Sequence, residues 1–148
     1  MAMPRELTQG ECEQLISGGA VGRIAVCAPD GPHVVPVNYV VLDSSLVFRT
    51  SPYSDIGTYA RDAQVAFEVD HIDAERETGW SVQARGRAAA VTSHEEITDI
   101  RAAWPSGPWA EGVRNVYLRL RWTQLSGRTL AQLPTSDLTS SEPGSARP

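Results

Sequence analysis

The stretch AVGRIAVCAPDGPHVVPVNYVVLDSSLVFRT, residues 20–50, holds three valine-rich runs separated by two tight turns. Residues 20–28 and 33–42 flank Pro29-Asp30-Gly31-Pro32, a strong turn signal, and therefore pair as a hairpin. Asp43-Ser44-Ser45 turns the chain again into a third strand at 46–50. Pro36 lacks the N–H that an interior ladder position uses, so the second strand needs an edge or a bulge near its middle. Strands joined by turns this short are antiparallel, because a parallel pair needs a long crossover.

Outward from this stretch, the same signals continue. Residues 8–17 read as a short helix, with Thr8 and Glu11 spaced as a capping box and Leu7 and Cys12 as a hydrophobic staple. Ser17-Gly18-Gly19 ends it. Beyond the third strand, Ser54 opens a helix whose face carries Ile56, Tyr59, Ala60 and Ala63. Residues 64–70 alternate as a strand, 71–79 (HIDAERETG) read as a polar loop, and 80–91 as a long strand. Ser93 and Glu96 form a second capping box, with Ile97, Ile100 and Trp104 on one helix face. A loop at 105–112, a strand at 114–123 and a short last strand at 125–130 complete residues 1–133, read as one domain. Residues 134–148 are rich in Ser, Thr and Pro and read as a disordered tail. The sum is a mainly β fold of six or seven strands with two or three short helices, a small antiparallel Greek-key or meander barrel.

Composition removes several function classes. Apolar residues are 41% and charged residues 21% of 148, ordinary for a globular chain. No run approaches the ~20 apolar residues of a membrane span, and the first ten residues lack a signal-peptide core. A cytoplasmic protein without membrane contact is expected. The net charge is −5 with no basic stripe, which argues against nucleic acid. All 13 basic residues are arginine, so a bound anion must be held by guanidinium, hydroxyl or backbone groups. Cys12 and Cys27 lack metal spacing and are expected as buried thiols. His33, His71 and His94 lie far apart, and no metal site is expected. Nucleophile-elbow, P-loop and dinucleotide-fingerprint patterns are absent.

What remains is polar residues where the pattern calls for apolar ones. Asn38 interrupts an apolar strand and is satisfied either by a backbone contact beside Pro36 or by the amide-like edge of a planar ligand. Arg49-Thr50-Ser51-Pro52-Tyr53-Ser54 joins a strand to a helix; Ser54 serves as a plain N-cap or the junction receives a phosphate. Trp80 and Ser81 open a strand on opposite faces, Trp80 with Val82 and Ala84, Ser81 with Gln83, Arg85 and Arg87. Core packing and solvent explain that pair as well as a cleft does.

Taken in order, VGRIAV, PDGPHVVPVNYVV, LVFRTSPYSD, VAFEVDHID, GWSVQARGRA and PWAEGVRNVYLRLRWTQLSGR resemble the pyridoxamine 5′-phosphate oxidase-like family of flavin-binding split barrels, in its short actinobacterial form. The likeness spans about residues 7–130. It implies an antiparallel split barrel, a homodimer, and FMN in clefts between the two copies. It places backbone at Val37 and the side chain of Asn38 against the flavin's polar edge, Arg49, Thr50 and Ser54 at its phosphate, and Trp80 and Ser81 on the ring from the next strand.

Relatives commonly carry a basic residue after the phosphate-binding serine, where this chain has Asp55. A lost charged hydrogen bond costs about 1.5–3 kcal/mol and a nearby carboxylate about 1 kcal/mol more, together roughly a hundredfold in affinity. The expectation is a dimeric FMN-dependent oxidoreductase of a small molecule, its FMN weakened by Asp55. The alternatives are a non-catalytic flavin store or sensor, an apo dimer with another ligand, or a reductase using a deazaflavin.

Overall fold

The computed structural model describes residues 3–104 and 116–130. In chain order the elements are α1 (Gln9–Ser17), β1 (Val21–Ala28), β2 (Gly31–Leu42), β3 (Ser45–Thr50), α2 (Asp55–Tyr59), β4 (Ala63–Asp73), β5 (Thr78–Ala90), α3 (His94–Ala103) and β6 (Val116–Thr129). The strands close into an antiparallel barrel in the order β1-β2-β3-β6-β5-β4. Two three-stranded meanders, β1–β3 and β4–β6, are joined along β3–β6 and β1–β4. This is the expected split barrel.

Period-two alternation fills the barrel. Ile24, Phe48, Phe67, Val82, Leu118 and Leu120 point inward and are fully buried, each stabilising the fold by about 1.5–3 kcal/mol. Tyr39 joins them, its ring edge-on to Phe67 with centroids 4.7 Å apart. Its hydroxyl donates to the Ile16 carbonyl at 2.7 Å and ties the end of α1 to the barrel. Burial pushes that phenol above its ordinary pKa. The capping box of α1 is complete: the Glu11 N–H donates to the Thr8 hydroxyl and the Thr8 N–H to the Glu11 carboxylate. Arg5 donates two hydrogen bonds to the same carboxylate and, with Thr8, lowers it to about 2.

Helix α3 lies outside the barrel. Ile100 packs over Val47 and Tyr117, with Ile97 and Trp104 at the margin of this second cluster. The three residues of the expected helix face therefore do meet one surface.

Several expectations change. The β1–β2 register runs unbroken from Val21↔Asn38 to Ala28↔Gly31, so Pro36 causes no bulge. Instead β3 pairs only with Tyr39–Leu42, which leaves the first part of β2 as an edge. The Tyr39 N–H bonds the Ala20 carbonyl, and ladder alternation then puts Pro36 at a non-hydrogen-bonded position, where its missing donor costs nothing. The polar stretch 71–79 is a hairpin rather than a loop, with β4 running to Asp73 and β5 starting at Thr78. Asp73 caps its turn by accepting the N–H groups of Glu75 and Arg76 at 3.1 Å.

The two expected C-terminal strands are one, β6, kinked by a register shift between Arg85 and Gly86 of β5. A Cβ at Gly86 would sit 2.4 Å from the Arg121 carbonyl oxygen, so the close approach at this bulge requires glycine. Cys12 is buried as expected, but Cys27 is exposed: it falls on the outer face of β1, opposite to Ile24 and Val26. The loop at 105–112, the start of the strand at 114 and the tail at 134–148 lie outside the described residues. Among the described residues no helix is long and apolar enough to cross a membrane.

Candidate functional site

The junction between β3 and α2 gathers three of the expected residues. Arg49 leaves β3 on its outer face, with its guanidinium 4.6 Å above the Trp104 ring, a cation–π contact that fixes the head group. The Thr50 and Ser54 hydroxyl oxygens are 2.5 Å apart. Ser54 donates to the Ser51 carbonyl at 2.8 Å and accepts the Gly57 N–H at 3.0 Å. With the Ser54 proton committed to Ser51, Thr50 supplies the proton of the pair. Ser54 is thus the N-cap of α2, as its local pattern allows. A Cβ at Gly57 would meet the Ser51 carbonyl at 2.4 Å, so glycine permits this tight corner. Both hydroxyls are half-buried and satisfied within the corner.

Asp55 turns toward the β1–β2 turn. Its carboxylate is 3.8 Å from His33 Nδ1, while His33 Nε2 is 2.8 Å from the Asp30 carboxylate. The hydrogen bond to Asp30 raises the imidazole above its ordinary pKa, with a smaller push from Asp55. The acid at the departure from the family pattern therefore has an imidazole of raised pKa beside it on the adjacent hairpin.

Asn38 is exposed on the outer face of β2, not buried, so the cost that demanded an internal partner does not arise. Continuing the β2–β3 register by one position sets it opposite Arg49. Val37 buries its side chain and turns its peptide toward Gly22 of β1. By the same alternation the peptide of Asn38 faces β3 at Arg49, just where the open edge of β2 begins. Asn38, Arg49, Thr50 and Ser54 therefore share one region.

Trp80 and Ser81 do not join them within one copy of the chain. Thr50 pairs with Val116 at the start of β6, whereas Trp80 pairs with Thr129 at its end. The 14 residues of β6 separate the two groups, roughly 45 Å of strand contour. Trp80 packs half-buried against the barrel core. Ser81 faces outward into a surface pocket of about 230 Å³ with Glu6, Gln83, Ser126 and Arg128.

One polar group escaped the sequence reading. Arg23 on β1 reaches Glu68 at 3.2 Å and Asp70 at 3.3 Å on β4. Burial and the adjacent Asp70 carboxylate push Glu68 up to about 7, against the pull of Arg23. Alternation in QVAFEVD put both acids outward, but nothing in the sequence paired β4 with β1.

Comparison with known proteins gives this geometry a context. Residues 8–129, most of the chain, match the family described as pyridoxamine 5′-phosphate oxidase. An uncharacterized protein of Mycobacterium tuberculosis is 31% identical over 97 residues, which are 62% of this chain and 64% of that one, so the match spans just under two thirds of that relative's length. The FAD-binding protein of Mycobacterium smegmatis superposes with a TM-score of 0.71 at 29% identity, over 86% of this chain and 98% of that one. A FAD-binding protein of Mesorhizobium loti does so with a TM-score of 0.72 at 26% identity, over 85% and 97%. The strand order, the β3–α2 corner and a family match across nearly every described element lead to one placement: the chain belongs to the pyridoxamine 5′-phosphate oxidase family of split barrels.

Proposed function

We infer that this chain binds FMN and acts as a flavin-dependent oxidoreductase on a small molecule. The observation that carries the reading is the β3–α2 corner, where a fixed guanidinium and two hydroxyls lie beside an open strand edge. The guanidinium is a donor for phosphate, and the Thr50 hydroxyl would add a second by turning from Ser54 to the anion, both as charge-assisted hydrogen bonds. Arg49, Thr50 and Ser54 would hold the phosphate, and Asn38, with Val37 beside it, would present polar atoms to the ring's edge. The bound flavin would supply the two-electron chemistry, and the protein orientation and electrostatics. Because Trp80 and Ser81 are far from this corner in one copy, they would close the cleft from a second copy, making the homodimer the functional unit.

A second reading has its own support. Thr50 and Ser54 already satisfy each other, and Asp55 adds a carboxylate one residue away. Both favour weak flavin binding, as in a non-catalytic store or sensor.

Titrating the purified protein with FMN, followed by flavin fluorescence and absorbance, tests the first reading. Thr50→Val should weaken FMN by about tenfold through loss of one charge-assisted hydrogen bond. Its melting temperature should fall only slightly, because Ser54 keeps its bonds to Ser51 and Gly57. A protein that takes up no flavin in excess FMN overturns the proposal. Flavin uptake without NAD(P)H turnover on any acceptor favours the store or sensor.

A further inference from the structure

Three arginines meet on the outer face of the β5–β6 sheet, away from the β3–α2 corner. Arg87 and Arg121 are direct cross-strand partners, and Arg119 lies two residues along β6 on the same face, opposite Ala89. Like charges directly opposed across a ladder are unfavourable unless something neutralises them. Among the described residues none of the three forms an ion pair. Arg119 is more buried than the other two, and among the described residues its buried Nε has no hydrogen-bond partner. A buried N–H without an acceptor is uncommon and marks a missing partner.

The three side chains line a surface pocket of about 210 Å³, closed on one side by Ser93 and Glu96 at the start of α3. That is room for a diphosphate group, with the open side free for whatever carries it. Glu96, the one acid among the lining residues, is exposed and bonds none of the arginines through its side chain. The charge at the pocket is thus positive on a chain whose net charge is −5. The pocket is also separate from the proposed flavin corner. Helix α3 lies between them, with Trp104 at Arg49 and Ser93 at the pocket, about 15 Å apart along its 10 residues.

We propose that Arg87, Arg119 and Arg121 form a binding site for a diphosphate group, free or carried by a nucleotide. Guanidinium forks suit phosphate oxygens, and an oxygen bonded to Arg119 Nε would supply the acceptor that the described residues do not. Calorimetric titration of the full chain with sodium pyrophosphate and with ADP, at constant ionic strength, tests this. Pyrophosphate should bind. Arg87→Gln and Arg121→Gln, both at exposed positions, should each weaken it by about tenfold or more, as loss of a charged hydrogen bond does. Arg101→Gln, at an exposed arginine on α3 outside the pocket, should leave it unchanged. Pyrophosphate should also raise the melting temperature of the wild type more than that of the variants. Equal affinity for ADP and pyrophosphate assigns recognition to the diphosphate alone, and tighter ADP binding to a nucleotide.

Absence of pyrophosphate binding, or equal binding by all variants, overturns the proposal. So does loss of self-association in Arg87→Gln and Arg121→Gln without any anion binding, which would make the pocket a contact between copies. FMN titration of the same variants keeps this outcome separate from the flavin reading, which predicts no change.

Discussion

Asp55 stands where the family pattern places a basic residue, and its carboxylate points at His33 rather than at the hydroxyls of the β3–α2 corner. With 59% of its side chain exposed, its effect on an anion beside Ser54 is a screened, through-solvent one. Asp55→Lys should therefore tighten FMN binding by about tenfold at low salt, and the gain should shrink as ionic strength rises past the point where the Debye length is about 10 Å. Fluorescence titrations at two salt concentrations check this. An affinity that does not move at either would remove Asp55 from the electrostatics of the proposed site. His33 matters to the same measurement, because its pairing with Asp30, and less so with Asp55, raises the imidazole above its ordinary pKa and so favours its charged form. The sequence showed which residue departs from the pattern. It did not show where the carboxylate points, because His33 arrives from a turn 22 residues upstream that only the closed barrel brings alongside.

At the scale of elements, local pattern carried most of the architecture. The capping box of α1, the Ser93 N-cap of α3 (without the return bond from the Glu96 side chain), the three strands of residues 20–50 and the apolar face of α3 stand where propensity and alternation put them, because each is decided by neighbours within a few residues. The differences have separate causes. The 71–79 hairpin is polar on both faces, so burial left no imprint on it, and the bulge opposite Gly86 hides one continuous strand as two. Asn38 and Cys27 were read as buried because their neighbours are apolar, although they lie on outer faces. Long-range seams were invisible too, and the β1–β4 seam is the shortest, with only three register pairs from Arg23↔Glu68 to Ala25↔Ala66. Its outer face depends on the Arg23–Glu68–Asp70 cluster. Glu68, raised to about 7 in the folded state, holds its proton while the unfolded chain ionises near pH 4.5. The stability contributed by Glu68 should therefore be full below that pH, decline between about pH 4.5 and 7, and be lost above. Because the side chain is 36% exposed, the loss should be on the order of 1 kcal/mol. Chemical denaturation across this range should show the decline, and Glu68→Gln should flatten it; an unchanged slope in the variant would assign the pH dependence elsewhere.

At the scale of the whole molecule, the two groups of proposed flavin contacts sit at opposite ends of β6. A rigid closed barrel cannot bring them together, since all six strands are hydrogen-bonded around its circumference and folding the long strand back would break the seams on both of its sides. The proposed cleft must then be composite, with the Arg49 corner from one copy and Ser81 from the other. A two-fold dimer of this kind has two equivalent sites, each drawing one half from each chain. That arithmetic separates it from a site contained in one chain. Arg49→Gln should empty one half of every site and Ser81→Tyr should block the other, so each variant alone binds little FMN. When equal amounts of the two are unfolded and refolded together, half of the dimers should be mixed, and each mixed dimer holds one site with neither change. Binding capacity should return to about a quarter of the wild-type value at wild-type affinity. Sites contained in single chains would stay defective in every mixture, so a refolded mixture with no recovered capacity would refute the composite cleft, even if the wild-type protein is yellow and dimeric.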